Sequence, residues 1–353
     1  MVSDGRQRTL SLEQLAPLET WLRAAMSTSR VDVTALDLLS GGAVQENWRL
    51  DVAVADGPYA GDQSLVLRTD AAAVLSMSLD RASEFAILQA AWAAGVAVAE
   101  PIARCTDDSI VGAPFLVQRF VEGTAQAREI TRDPGLDVWG TELAGELAAM
   151  LARIHAINPG NSDLTVLPVP IGNPAQQEVA KCRGALDGAS EARPALEYVL
   201  CWLDSHAPDN PDQLVLVHGD YRTGNYLAQD GRLGAILDWE FAHWGDGDED
   251  IGWFCAQCWR FGNVDRQAGG IAEREVFVSA YEAAAGRRAS ARRIHYWEIL
   301  AAAKWATVAL LQGDRFRKGG ETSVELALTG LMVSELELEA IDGINAYEAR
   351  EGG

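Results

Sequence analysis

The sequence predicts an α+β chain of two lobes: a smaller first lobe, an antiparallel β-sheet with one helix, and a larger, mainly helical second lobe. Three observations predict this. Short β-like runs separated by Gly and Gly-Pro loops fill the first third, and helical periodicity takes over after Glu122-Gly123. The 353 residues, 48% of them hydrophobic, suffice for two cores. The boundary is expected near Val121, giving lobes 1–121 and 122–353.

The strands come first. VDVTALDLLS, NWRLDVAV and SLVLRTD are β-rich runs bounded by turn residues and read as an antiparallel meander. DRASEFAILQAAWAAG, Asp80 to Gly95, has apolar residues at helical spacing, an acidic start and a terminal Gly suited to a C-cap. A further β-rich pair ends in APFLVQRFVEG, Ala113 to Gly123. TELAGELAAMLARIHAI, EARPALEYVLCWLDSH and the pieces from Ala272 to Ala346 then read as helices. Between them LVHGDYRTGNYLAQDGRLGAILDWE, Leu216 to Glu240, reads as strand, loop, strand, turn, strand.

Composition narrows the function classes. With 51 acidic against 29 basic residues the formal charge is −22, a field that repels nucleic acid and anionic membranes and attracts cationic ligands or metal ions. No apolar stretch approaches the ~20 residues of a membrane span, and MVSDGRQRTLSLEQL lacks a secretory apolar core, so a cytoplasmic protein is expected. Five cysteines at irregular spacing argue for a reducing compartment. CAQC, Cys255 to Cys258, lacks a second ligand pair and reads as buried thiols. DGDGDED fails as a calcium loop, with Ile251 where Gly is needed and Gln257 where Glu is needed. His155, Trp297 and Trp305 read as helix-face core residues.

The chemistry concentrates at strand ends. His218, Asp220 and Asn225 follow QLVLV, and Asp238 follows LGAIL. Phosphoryl transfer needs a carboxylate to orient and deprotonate a hydroxyl, and oxygen ligands for a magnesium ion that neutralises the phosphates. His-x-Asp-x-x-x-x-Asn followed by an Asp supplies both; the competing reading is a polar loop of local Asx turns.

HGDYRTGNYL, AILDWE and GDGDEDIGW closely resemble the aminoglycoside phosphotransferase and choline kinase superfamily, nearest to the kinase-like domains associated with acyl-CoA dehydrogenases. The resemblance implies a bilobal protein-kinase-like fold. It implies Asp220 as catalytic base, His218 and Arg222 as its catalytic companions, Asn225 and Asp238 as magnesium ligands, and Asp250 as a brace for the loop. Gly247 stands where the family carries Pro, which should loosen the turn.

The first lobe is read against the same pattern. Gly41 and Gly42 in LSGGAVQENWRL would form the turn over the phosphates, though alone they describe any hairpin. Arg68 would be the third-strand cation, usually Lys in aminoglycoside kinases, and Glu84 its helix partner; the alternative for Glu84 is a solvated first-turn acid. FLVQRFVEG resembles the strand and hinge that cradle adenine, with Gln118 at the back of the pocket and the backbone of Arg119, Phe120 and Val121 at the base. The alternative is an edge strand ending in a turn. The expectation is thus a small-molecule kinase using ATP and Mg²⁺ on a hydroxyl substrate, with no nucleic-acid or membrane partner. A non-catalytic nucleotide- or ligand-binding module is the other class. Acceptors range from an aminoglycoside-type antibiotic to a hydroxyacyl-CoA or related metabolite.

Overall fold

The computed structural model describes residues 12–39, 45–70, 79–318 and 323–351. Two compact units emerge. The first comprises Met1–Gly123 with Gly234–Phe241, the second Thr124–Leu233 with Ala242–Gly353.

The first unit holds α1 (Leu12–Ala25), β1 (Val31–Leu38), β2 (Gln45–Val54), β3 (Gly61–Asp70), α2 (Arg81–Ala93), β4 (Pro101–Cys105) and β5 (Phe115–Arg119). Its five strands form one antiparallel sheet in the order β1-β2-β3-β5-β4. Alternation sends Trp48, Leu50, Val52, Leu65 and Leu67 into a core with Phe115 and Val117, closed by Leu18, Leu22 and Met26 of α1. The strand reading of the first third omits α1, whose interior Pro17 is a poor helix signal. Asp80 caps α2, accepting the Ser83 N–H at 2.7 Å, and Gly95 at φ 74° ends it.

Gly234–Phe241, placed in the second lobe by sequence, groups with the first unit. Ile236 N–H donates to the Ala97 carbonyl at 2.7 Å, and Leu79 N–H donates to the Glu240 carbonyl at 2.9 Å. These bonds satisfy backbone groups that a solvent loop would leave to water.

The second unit holds α3 (Ala127–Arg132), α4 (Leu136–His155), α5 (Pro174–Leu186), α6 (Pro194–Ser205), β6 (Val215–Val217), β7 (Tyr226–Gln229), the start of β8 (Arg232–Ile236), β9 (His243–Gly245), α7 (Asp248–Cys255), a 3₁₀ turn (Gln257–Trp259), α8 (Arg274–Ala285), α9 (Ala291–Arg317), α10 (Val324–Leu331) and α11 (Val333–Glu351). The 27-residue α9 is the axis of its core: Tyr296, Trp297, Leu300, Ala303 and Ala306 pack with residues of α5, α6 and α11. A Cβ at Gly252 would collide with Trp297, so Gly lets α7 lie directly against α9. β6 pairs antiparallel with β9, which fixes the chain just before His218.

Candidate active site

The loop between β6 and β7 carries His218, Asp220, Arg222 and Asn225 of the second unit. Asp250, fully buried in the first turn of α7, accepts the His218 N–H at 2.7 Å and the Gly219 N–H at 3.0 Å. Its carboxylate also meets His155 Nε2 at 3.1 Å, and His155 Nδ1 lies 2.7 Å from the Tyr281 hydroxyl. Burial opposes ionisation of Asp250, but its hydrogen bonds and the nearby histidines prevail and lower its pKa. His155 is thus a core residue with a further task, since it orients the brace of the loop.

His218 is buried, and its Nδ1 accepts the Asp220 N–H at 3.3 Å. Thr223 ties the loop down by donating to the Gly269 carbonyl at 2.7 Å. Gly224 sits at φ 108°, where a Cβ would strike the Arg222 guanidinium. The loop delivers the Asp220 carboxylate into a set of donors. Oδ1 accepts from Arg222 Nε at 2.9 Å and from Trp253 Nε1 at 2.8 Å, while Oδ2 accepts from Asn225 Nδ2 at 2.5 Å. Arg222 is stacked on Trp259, its guanidinium carbon 4.5 Å from the ring centre. Trp253, Trp259, Phe261 and Trp305 form one aromatic cluster beside these groups.

Below Trp253 lies a buried ion network. Lys304 on α9 reaches Glu178 at 3.0 Å and Glu249 at 3.4 Å, and His243 reaches Glu249 at 3.2 Å. Burial would depress Lys304, yet Glu178 and Glu249 raise its pKa; burial likewise favours neutral His243, and Glu249 reverses it. Gly247 at φ −61° holds a backbone angle that Pro also adopts, and Asp248 N–H donates to Asp246 Oδ1 at 3.0 Å. The turn thus has a Pro-compatible angle and an internal hydrogen bond that Gly247 does not disturb. CAQC does not lie in one continuous helix: α7 ends at Cys255, and both thiols are free.

The first unit presents a cation cluster. Arg68 is 5% exposed, with Nη1 3.1 Å from Glu84 Oε1 and Nη2 3.2 Å from Asp238 Oδ1. Burial works against the guanidinium charge, and the carboxylates of Glu84, Asp238 and Glu240 outweigh it, raising the pKa. Glu84 is fully buried and also held by Arg81, so it is no solvated first-turn acid. Asp238 has φ 58°, a left-handed conformation that Asp tolerates better than most residues.

On the hinge segment, Gln118 is buried and its Oε1 has no hydrogen-bond partner among the described residues. The N–H groups of Arg119 and Phe120 donate to the carbonyls of Glu100 and Ser64, both at 2.9 Å. Both N–H groups are thus taken up by other parts of the first unit, and Val121 is the next position past the sheet. The Arg119 side chain is spent on Glu100 and Gln63, and the Phe120 ring lies under Arg49. Gly41 and Gly42 fall outside the described residues.

Arg81, Trp253 and Lys304 are the residues that sequence reasoning missed. Two had a signal: Arg81 stands three before Glu84, and Trp253 three after Asp250, each sharing a helix face with a recognised acid.

Comparisons with known proteins show the family and the fold. The family described as phosphotransferase enzyme family (APH) matches residues 37–289. Acyl-CoA dehydrogenase family member 11 from Pongo abelii is 26% identical over 298 residues, covering 78% of this chain and 38% of that protein. The chain thus spans well under half of that relative's length. 4-Hydroxytryptamine kinase from Psilocybe cubensis is 24% identical over 321 residues, covering 80% and 82% of the two chains. Among solved structures, a candidate aminoglycoside phosphotransferase from Ralstonia eutropha aligns with TM-score 0.74 at 22% identity over 94% of this chain and 98% of that one. Aminoglycoside phosphotransferase APH(4)-Ia, solved as a ternary complex with AMP-PNP and hygromycin B, aligns with TM-score 0.58 at 16% identity over 93% and 98%. The fold is that of kinase-like phosphotransferases, and no described helix is long and apolar enough to cross a membrane.

Proposed function

The chain belongs to the phosphotransferase enzyme family, and from that premise we propose that it transfers the γ-phosphoryl group of ATP to a hydroxyl of a small molecule. The observation that carries this reading is Asp220: a carboxylate on a loop braced by Asp250, held by three donors and 13% exposed. The acceptor oxygen attacks the γ-phosphorus, its proton passes to Asp220, and the bond from phosphorus to the β–γ bridging oxygen breaks to release ADP. Arg68, fixed by Glu84, supplies positive charge to the nucleotide phosphates. An adenine amino group is a donor that would satisfy the orphaned Gln118 Oε1.

Each of the two residues expected to hold magnesium carries an oxygen of the kind that ion takes. Asn225 uses its amide nitrogen on Asp220, so its carbonyl oxygen is the atom suited to a cation. Asp238 offers a carboxylate, and two protein oxygens are what magnesium commonly takes beside phosphates and water. Among the described residues no three His, Cys, Asp or Glu side chains converge on a metal position, so no all-protein cage competes with this reading. When bound, the ion would neutralise charge on the phosphates.

The intact Asp220, Asn225 and Asp238 argue against a non-catalytic module. Asp220→Asn should abolish transfer and leave ATP affinity nearly unchanged, because the base serves the acceptor and not the nucleotide. Wild-type kcat in that variant would remove Asp220 from the role. For the acceptor, the Arg222 guanidinium beside Asp220 favours a partly anionic alcohol over a polycationic antibiotic. An ATP-consumption screen of indole alcohols, hydroxyacyl-CoA esters, choline-like alcohols, macrolides and aminoglycosides tests this, and turnover confined to aminoglycosides refutes it.

A further inference from the structure

Resting on the reading of Asp220 as the base, we propose that Trp253 is a positioning residue that fixes which oxygen of Asp220 receives the proton. Each carboxylate oxygen offers about two acceptor sites. Oδ1 has both filled, by Arg222 Nε and Trp253 Nε1, whereas Oδ2 has one donor, Asn225 Nδ2. The remaining site on Oδ2 is the one left for the acceptor hydroxyl.

Two of these donors differ in an instructive way. Arg222 is a cation with its side chain 24% exposed, and an approaching phosphate competes for it. Trp253 is neutral, only 6% exposed, and has no such rival. Its ring is held by Trp259, at 5.5 Å between centres, and by Lys304, whose Nζ is 5.4 Å from the ring centre. Lys304 is itself anchored by Glu178 and Glu249, so the indole has a fixed orientation.

Helix geometry explains why this Trp can do so. Asp250 and Trp253 are one turn apart on α7, the first holding the loop backbone and the second the carboxylate that the loop carries. One rigid helix therefore sets both the position of the loop and the rotamer of its base.

The test uses the full chain and slow hydrolysis of Mg·ATP, with water as the acceptor, so that no alcohol need be known. Trp253→Phe keeps a ring in place but lacks the N–H. Its kcat should fall about 10- to 100-fold, equivalent to the loss of a hydrogen bond to a charged group, with KM for ATP within about twofold. Trp253→His, which regains a ring N–H but fills the space less well, should turn over faster than Trp253→Phe; a packing role predicts the reverse order. Independently of any change at Trp253, one indole Nε1–H resonance of the wild-type chain should move when Asp220 becomes Asn. Wild-type kcat in Trp253→Phe, or no moving indole resonance, overturns the assignment. If Asp220→Asn is inactive and Trp253→Phe is not impaired, this inference alone fails. If Asp220→Asn hydrolyses ATP normally, the base reading fails and takes this one with it.

Discussion

Replacing Arg68 by Ala removes one guanidinium from two acids at once. Breaking a buried ion pair costs about 3–5 kcal/mol, because the surviving charge is left without compensation. Here the survivor is Glu84, fully buried, but Arg81 stays on its other oxygen. Asp238 adds little, since its side chain is 44% exposed and water solvates it. The loss should therefore fall to about 2–3 kcal/mol in the first unit, which at a urea slope of about 1–3 kcal/mol per molar lowers the unfolding midpoint by roughly 0.7–3 M. On the functional side, a lost charge-assisted hydrogen bond of about 1.5–3 kcal/mol predicts roughly 10- to 100-fold weaker Mg·ATP binding or turnover. Arg68→Lys should retain measurable activity, because a point charge can reach one acid though not both. Glu84→Ala should be intermediate, and the double variant should lose less than the sum of its parts. Urea titration followed by near-ultraviolet circular dichroism, with calorimetric titration of Mg·ATP, reads both effects. If Arg68→Ala unfolds at the wild-type midpoint and binds nucleotide normally, the first-unit half of the mechanism is wrong.

Two further predictions concern metal and pH. ATP should raise the melting temperature much more with Mg²⁺ than with EDTA, and Asp238→Ala should erase that difference; an unchanged difference refutes the ligand role. Burial pushes Glu298 from its ordinary 4.5 up to about 7, with Arg274 only partly opposing it. A raised carboxyl pKa means that the folded state holds the proton longer, so the contribution is favourable below about 4.5 and is lost as pH rises through about 7. Relative to wild type, Glu298→Gln should gain about 3 kcal/mol of stability between pH 5 and pH 8, at ~1.4 kcal/mol per unit. Parallel stability curves for the two proteins across that range would refute the assignment.

What the sequence determined by itself is local. The cap at Asp80, the helix that follows, the alternation of β2 and β3, and the His218-to-Asn225 spacing all depend on neighbours within a few residues, where backbone periodicity decides which side chains share a face. The Asp220 loop was legible because its polar residues follow an apolar strand and recur at a spacing that chemistry explains. That the Arg119 and Phe120 N–H groups bond to Glu100 and Ser64 was not legible, because those partners lie elsewhere in the chain. Only tertiary structure decided that Asp238 would meet Arg68 across 170 residues, that Lys304 would lie between Glu178 and Glu249, and that the Trp253 indole would find Asp220. A buried charge or indole N–H must be matched once water is excluded, and which group matches it depends on how whole helices and strands pack. A tryptophan reads as core whether or not its N–H has a task, so nothing in the sequence could say to whom the Trp253 proton would point.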